Sequence, residues 1–170
     1  DTILMLLSSG TSGRSKIVEL TNGNLCAYPA EVFSELRAER ERGTLQHYEN
    51  LIILPFFHIG GVIPIMGELA RGNCLFISNA RQFLQDLSAR QFGKLIVAPA
   101  MMKRILERAE KNEKVAKTLD SVHEALCLGA AMSPVLIQAL HARNIMPRTY
   151  YGLTETTGTV TYRGPYRDGA

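Results

Sequence analysis

Ile3-Leu4-Met5-Leu6-Leu7-Ser8-Ser9-Gly10-Thr11-Ser12-Gly13-Arg14-Ser15-Lys16 is an apolar run that empties into glycines and hydroxyls and ends on one lysine. A buried strand opening into such a loop is a way of holding phosphate. Gly10 and Gly13 let successive backbone N–H groups turn toward one anion, Ser8, Ser9, Thr11 and Ser12 add donors, and Lys16 supplies full charge. Taken alone, the stretch reads equally as a solvated turn. Its spacing is not that of a P-loop, because Ser15 stands where the second glycine belongs and Ile17 follows Lys16. G-x-G-x-x-G and G-x-S-x-G are absent as well.

Outward from this loop, apolar runs alternate with amphipathic stretches. Strands are expected at Ile3–Leu7, Leu51–Leu54, Cys74–Ser78, Leu95–Val97, Val122–Leu128 and Ile145–Tyr151. Helices are expected from about Thr21, over Gly60–Ala70, Gln82–Arg90, Pro99–Lys117 and Val135–Arg143, with Pro29 implying a kink or late start in the first. Strands that are apolar throughout predict an α/β fold with a mostly parallel, doubly wound sheet and helices on both faces. Ligands of such sheets sit beyond the carboxyl ends of the strands, where all the suggestive loops fall.

Composition narrows the field. The chain has 170 residues, enough for about one domain, and its 46% hydrophobic and 21% charged residues suit a globular protein. A net charge of +3 without a basic stripe argues against nucleic acid, and Lys103–Lys117 interleaves acids with cations as a solvated helix face does. Leu51–Gly67 is broken by prolines, glycines and His58, so a membrane span is not expected. Three scattered cysteines without metal spacing predict buried thiols and a reducing, intracellular setting, with the choice between cytoplasmic and peroxisomal left open. No signal peptide is visible before the first strand, and both ends read as cuts in a longer protein.

Three further loops carry chemistry. Pro55-Phe56-Phe57-His58-Ile59-Gly60-Gly61 offers a histidine and room for a ligand, although a helix-start histidine bonded to a carbonyl is the simpler reading. Gly129-Ala130-Ala131 lacks bulk and suits a flat base, or is simply a tight turn before Ser133-Pro134. Tyr151-Gly152-Leu153-Thr154-Glu155 supplies a ring, a hydroxyl and a carboxylate. A base could stack on Tyr151, with Thr154 at the α-phosphate and Glu155 sharing Mg²⁺ with it, since a carboxylate beside phosphate is repulsive without a metal between them.

In this order the motifs resemble the adenylate-forming superfamily: acyl- and aryl-CoA ligases, beetle luciferases and peptide-synthetase adenylation domains. Ser9–Lys16 is similar to the Ser-Gly-Thr-(Ser/Thr)-Gly-x-Pro-Lys signature, Leu20-Thr21 and Asn24-Leu25 to its tail, and Pro55–Gly61 to Pro-Leu-Phe-His-x-Gly-Gly. Val97-Ala98-Pro99 and Gly129–Pro134 resemble two further turns of the family, and Tyr151–Glu155 matches Tyr-Gly-x-Thr-Glu in full. Phe57-His58 and Leu153 favour the acid–CoA ligase branch over peptide-synthetase domains, which carry Phe-Asp and Pro there. Ser15, Ile17, Asn22, Met132 and Tyr150 depart from the pattern, Tyr150 standing where a small residue is usual.

The resemblance implies an enzyme that uses ATP and Mg²⁺ to activate a small carboxylic acid as acyl-adenylate, then passes it to coenzyme A. It implies catalytic roles for Lys16, His58, Thr154 and Glu155, the last as metal ligand. Nucleotide contacts would come from Ser8–Gly13, Lys16, Gly129–Ala131, Tyr151, Gly152 and Thr154. Residues 1–170 correspond to part of the family's large N-terminal domain, without the small C-terminal domain. On that basis the piece alone is expected to be inactive; the rival readings are a non-catalytic nucleotide-binding remnant and a peptide-synthetase-type adenylation domain. Phe56, Phe57, Gly60 and Gly129 hint at an apolar substrate.

Overall fold

A computed structural model describes residues 1–8, 15–41 and 48–163, with the side chains of residues 28–35 and 162–163 not described. Ser9, Gly10, Thr11, Ser12 and Gly13 therefore lie outside the described residues. The chain runs β1 (Thr2–Ser8), β2 (Lys16–Thr21), α1 (Asn22–Glu41), β3 (Glu49–Ile52), α2 (Ile59–Ala70), β4 (Cys74–Ile77) and α3 (Phe83–Ala89). There follow β5 (Lys94–Val97), α4 (Pro99–Ala109), α5 (Glu113–Leu119), β6 (Glu124–Cys127), α6 (Pro134–His141), β7 (Met146–Leu153), a 3₁₀ turn Thr154–Thr156 and β8 (Gly158–Arg163).

Six strands form one sheet in the order β4-β3-β5-β6-β7-β8, parallel except for β8, which pairs antiparallel at the β7 edge. One face carries Leu51, Leu95, Val97, Ala125 and Cys127 against the helices after β4, in a core that includes Phe83, Met102, Leu119 and Leu140. The other face carries Ile52, Ile96, Leu126 and Leu128, with Ile65 of α2 packed against them. Beyond α2 lie α1 and the β1–β2 hairpin, joined through Leu6, Leu20, Leu25, Ile59 and Ile63. The expected mostly parallel sheet with helices on both faces is what forms.

Four expectations need correcting. Ile3–Leu7 is not the first strand of the parallel sheet; β1 pairs antiparallel with β2, a strand the sequence reading missed. Its apolar run looks continuous, yet alternate residues face opposite ways: Leu6 is buried while Ile3, Met5 and Leu7 are each more than half exposed. The helix expected over Pro99–Lys117 is two helices, because the Asn112 side chain accepts from Val115 N–H at 3.2 Å and caps a new start. The helix assignment passes through Pro29 without a break. Among the thiols Cys127 is buried, but Cys26 and Cys74 are exposed.

At the amino ends of the strands, Lys94 Nζ lies 2.6 Å from Glu68 of α2 and 2.8 Å from Glu124, and Arg148 approaches Glu124 at 2.9 Å. Asn50 and Asn73 amides donate to the second Glu68 oxygen at 2.8 and 2.6 Å. Burial alone would pull the Lys94 ammonium down, but the two carboxylates outweigh it and hold it raised. Likewise, burial pushes Glu124 up and its cations more than reverse this, leaving it lowered. This network fixes the end of α2 remote from the strand tips. No helix among the described residues is long and apolar enough to cross a membrane.

Candidate active site

Chain reversal creates the site. From β3 the chain goes to β4 on one side and returns to β5 on the other, so the segments after β3 and β5 diverge and leave a crevice between them. There a cleft of about 740 Å³ opens, walled by Leu54, Pro55, Ala98, Pro99, Leu128 and Gly129 at the strand ends, and by His58–Gly61, Ile63 and Pro64 of α2. Ser8 closes it from the hairpin, and Gly152–Glu155 from the end of β7.

Ser8 and Lys16 are cross-strand partners and stand side by side on the hairpin rim. Opposite them stands Glu155, exposed on the 3₁₀ turn. Its carboxyl is held below the usual carboxylate range, first by its own backbone N–H, then by the Ser8 hydroxyl, with the Lys16 charge adding to these. The Ser8 hydroxyl is buried and makes no hydrogen bond of ordinary geometry among the described residues; it faces the Glu155 carboxyl at longer range. An ionised carboxylate beside hydroxyls and an ammonium, at the mouth of a cleft, fits a magnesium ion shared with phosphate oxygens.

Thr156, given no role from sequence, builds the turn that presents Thr154 and Glu155. Its hydroxyl accepts from Leu153 N–H at 3.0 Å and reaches the Gly158 carbonyl at 2.9 Å. Gly152, expected as a nucleotide contact, has another duty as well, because a Cβ there would lie 1.5 Å from the Gly158 carbonyl oxygen. Gly61 is similar, its Cβ position lying 2.3 Å from the Pro55 carbonyl oxygen, whereas Gly60 has open space beside it.

His58 precedes α2, exposed, its ring tilted on Phe57 at 4.7 Å and making no side-chain cap. Its backbone carbonyl, not its imidazole, receives the Gly61 and Val62 N–H groups. Pro64, one turn into α2, has no N–H to return to the Gly60 carbonyl, and both residues wall the cleft. The Gly60–Pro64 spacing of four could have signalled this backbone acceptor from sequence alone.

Ala130 lines the cleft beside Gly129, whereas Ala131 and Tyr151 stand outside its wall, Tyr151 being 64% exposed. Tyr150, on the opposite strand face, lines the cleft instead. Among the described residues no group of three or more histidine, cysteine or acidic side chains forms a metal cluster.

The whole chain, residues 1–170, matches the family of AMP-binding enzymes. It is 29% identical over 164 residues to a probable CoA ligase, CCL5, of Humulus lupulus, covering 93% of this chain and 29% of that protein. It is 28% identical over the same length to the peroxisomal OPC-8:0-CoA ligase 1 of Arabidopsis thaliana, with the same coverage. The chain thus spans less than a third of these relatives' length. In fold it matches the AMP-forming acyl-CoA synthetase/AMP-acid ligase II-like protein from Dyadobacter fermentans, with a TM-score of 0.71, 20% identity, and coverage of 98% of this chain and 45% of that one.

Proposed function

This chain belongs to the AMP-binding enzymes, and from that premise we propose that it carries the nucleotide- and acid-binding part of an AMP-forming acid–CoA ligase. In the parent protein a carboxylate attacks the α-phosphorus of ATP, pyrophosphate leaves, and the thiol of coenzyme A then displaces AMP to give the thioester. One observation supports the reading: Ser8, paired across the hairpin with Lys16, lines the same apolar cleft as Thr154 and Glu155.

The electrostatic difficulty is bringing a carboxylate to a polyanion. Lys16 and the loop N–H groups neutralise charge on the departing pyrophosphate, and the Thr154 hydroxyl donates to the α-phosphate. Glu155 would hold the magnesium ion, which when bound would supply further charge neutralisation beside the phosphates. The purine lies at the rim between Ala130–Ala131 and the exposed Tyr151 ring, which leaves the cleft to the acid. His58 borders the reacting carboxylate from the amino end of α2.

Acid-dependent exchange of labelled pyrophosphate into ATP tests this in the full-length protein. Lys16→Ala and Glu155→Ala should each lower exchange by roughly 10²–10³-fold. Near-normal exchange in both would defeat the assignment, and magnesium–ATP binding without any exchange in the unmodified protein would favour a nucleotide-binding module.

A further inference from the structure

Alternate residues of β7 share a face, so Arg148, Tyr150 and Gly152 follow one another toward the cleft on the α2 side of the sheet. Gly152 brings no side chain to the mouth, and Arg148 is engaged by Glu124 in the network at the far end. Between them Tyr150, partly buried, packs on the Ile52, Ile96, Leu126 and Leu128 cluster and is the largest side chain of the cleft wall among the described residues.

We infer that Tyr150 is the floor of the acid subsite and sets its depth, so that the preferred substrate is a monocarboxylic acid with a compact, uncharged apolar body. This rests on the reading of the cleft as the acid-binding site. The remaining ionisable side chains of the wall are His58 and Glu155, both exposed, and no lysine or arginine joins them among the described residues. A second carboxylate carried into the cleft beyond its mouth would lose its water and meet no cation among the described lining residues. A longer acyl chain would meet the ring. Without that ring the cleft runs on by two strand residues, about 6–7 Å, toward Arg148.

Calorimetric titration with straight-chain monocarboxylic acids of increasing length, without ATP, tests this on the full-length protein and on Tyr150→Ala, Tyr150→Leu and Tyr150→Trp. Each methylene newly buried contributes about fourfold in affinity. The first acids too long for the unmodified protein should therefore gain about tenfold or more in the Ala and Leu variants, and the limit should move to shorter acids in Trp. Dicarboxylic acids of equal length should bind at least about tenfold more weakly than their monocarboxylic counterparts, by the unpaired-charge argument. If Ala does not fold, Leu and Trp still pull in opposite directions. A length profile shared by all cooperatively folded variants overturns the inference, as does failure of any acid to bind. A shifted profile in a protein with no pyrophosphate exchange supports it while removing the adenylation reading; intact exchange with an unshifted profile removes this inference alone.

Discussion

Gly152 and Gly158 touch backbone to backbone across the β7–β8 pair, so closely that a Cβ on Gly152 would sit 1.5 Å from the Gly158 carbonyl oxygen. A glycine inside a nucleotide-type motif thus also holds the edge of the sheet, at the point where the register shifts between Tyr151 and Gly152. Gly152→Ala should force β8 away and cost at least about 1–3 kcal/mol. Hydrogen exchange would show it as lost amide protection over Tyr150–Leu153 and Thr159–Thr161. Unchanged protection and melting temperature would contradict the contact.

Lys94 stands between two carboxylates with its own side chain only 14% exposed. Lys94→Met leaves Glu68 and Glu124 buried without their shared cation, and should cost about 3–5 kcal/mol. Urea unfolding measures it. A loss below about 1 kcal/mol, the value of an exposed pair, would show that the network is solvated.

The same network sets the acid limb of stability. Glu124 is lowered in the folded state from its ordinary 4.5, so the unfolded chain takes up its proton first as pH falls. Its contribution is complete above about pH 4.5 and disappears as pH drops through the folded value. Lys94 is raised, so its contribution is complete below its ordinary 10.5 and fades only on the alkaline side. Glu124→Gln should be less stable at neutral pH yet flatter between about pH 5 and 3 than the unmodified chain. Parallel curves for the two proteins would contradict the assignment.

Thiol labelling separates the cysteines. Cys26 and Cys74 are exposed, while burial pushes the Cys127 thiol up to about 12. Two thiols should react quickly in the native chain at mildly alkaline pH and the third only on unfolding, since the thiolate is the reactive form. Fast labelling of all three would mean that β6 is not in the core.

The parallel sheet was legible because strands buried on both faces are apolar without alternation, and β3, β5 and β6 end in such runs, Leu51-Ile52, Leu95–Val97 and Ala125–Cys127. The hairpin was not, because Ile3–Leu7 is apolar on its exposed side as well, which hides its period of two. β8 was missed because Gly158-Thr159-Val160-Thr161 carries little apolar signal and Val160 is exposed. The loops of the candidate site could be ordered from sequence, but not which of two adjacent tyrosines enters the cleft. That depends on the frame of β7, fixed by its hydrogen-bond register with β6 and β8.

On the proposed function, Lys16 and Glu155 together hold one magnesium-bound nucleotide at the mouth of the cleft. Calorimetric binding of ATP, with and without magnesium, to the unmodified full-length protein, Lys16→Ala, Glu155→Ala and the double variant measures this directly. The prediction is a strong magnesium dependence that Glu155→Ala abolishes, and a double variant whose loss departs from the sum of the single losses by at least about 0.5 kcal/mol. Strictly additive losses, with magnesium dependence intact in Glu155→Ala, would contradict it.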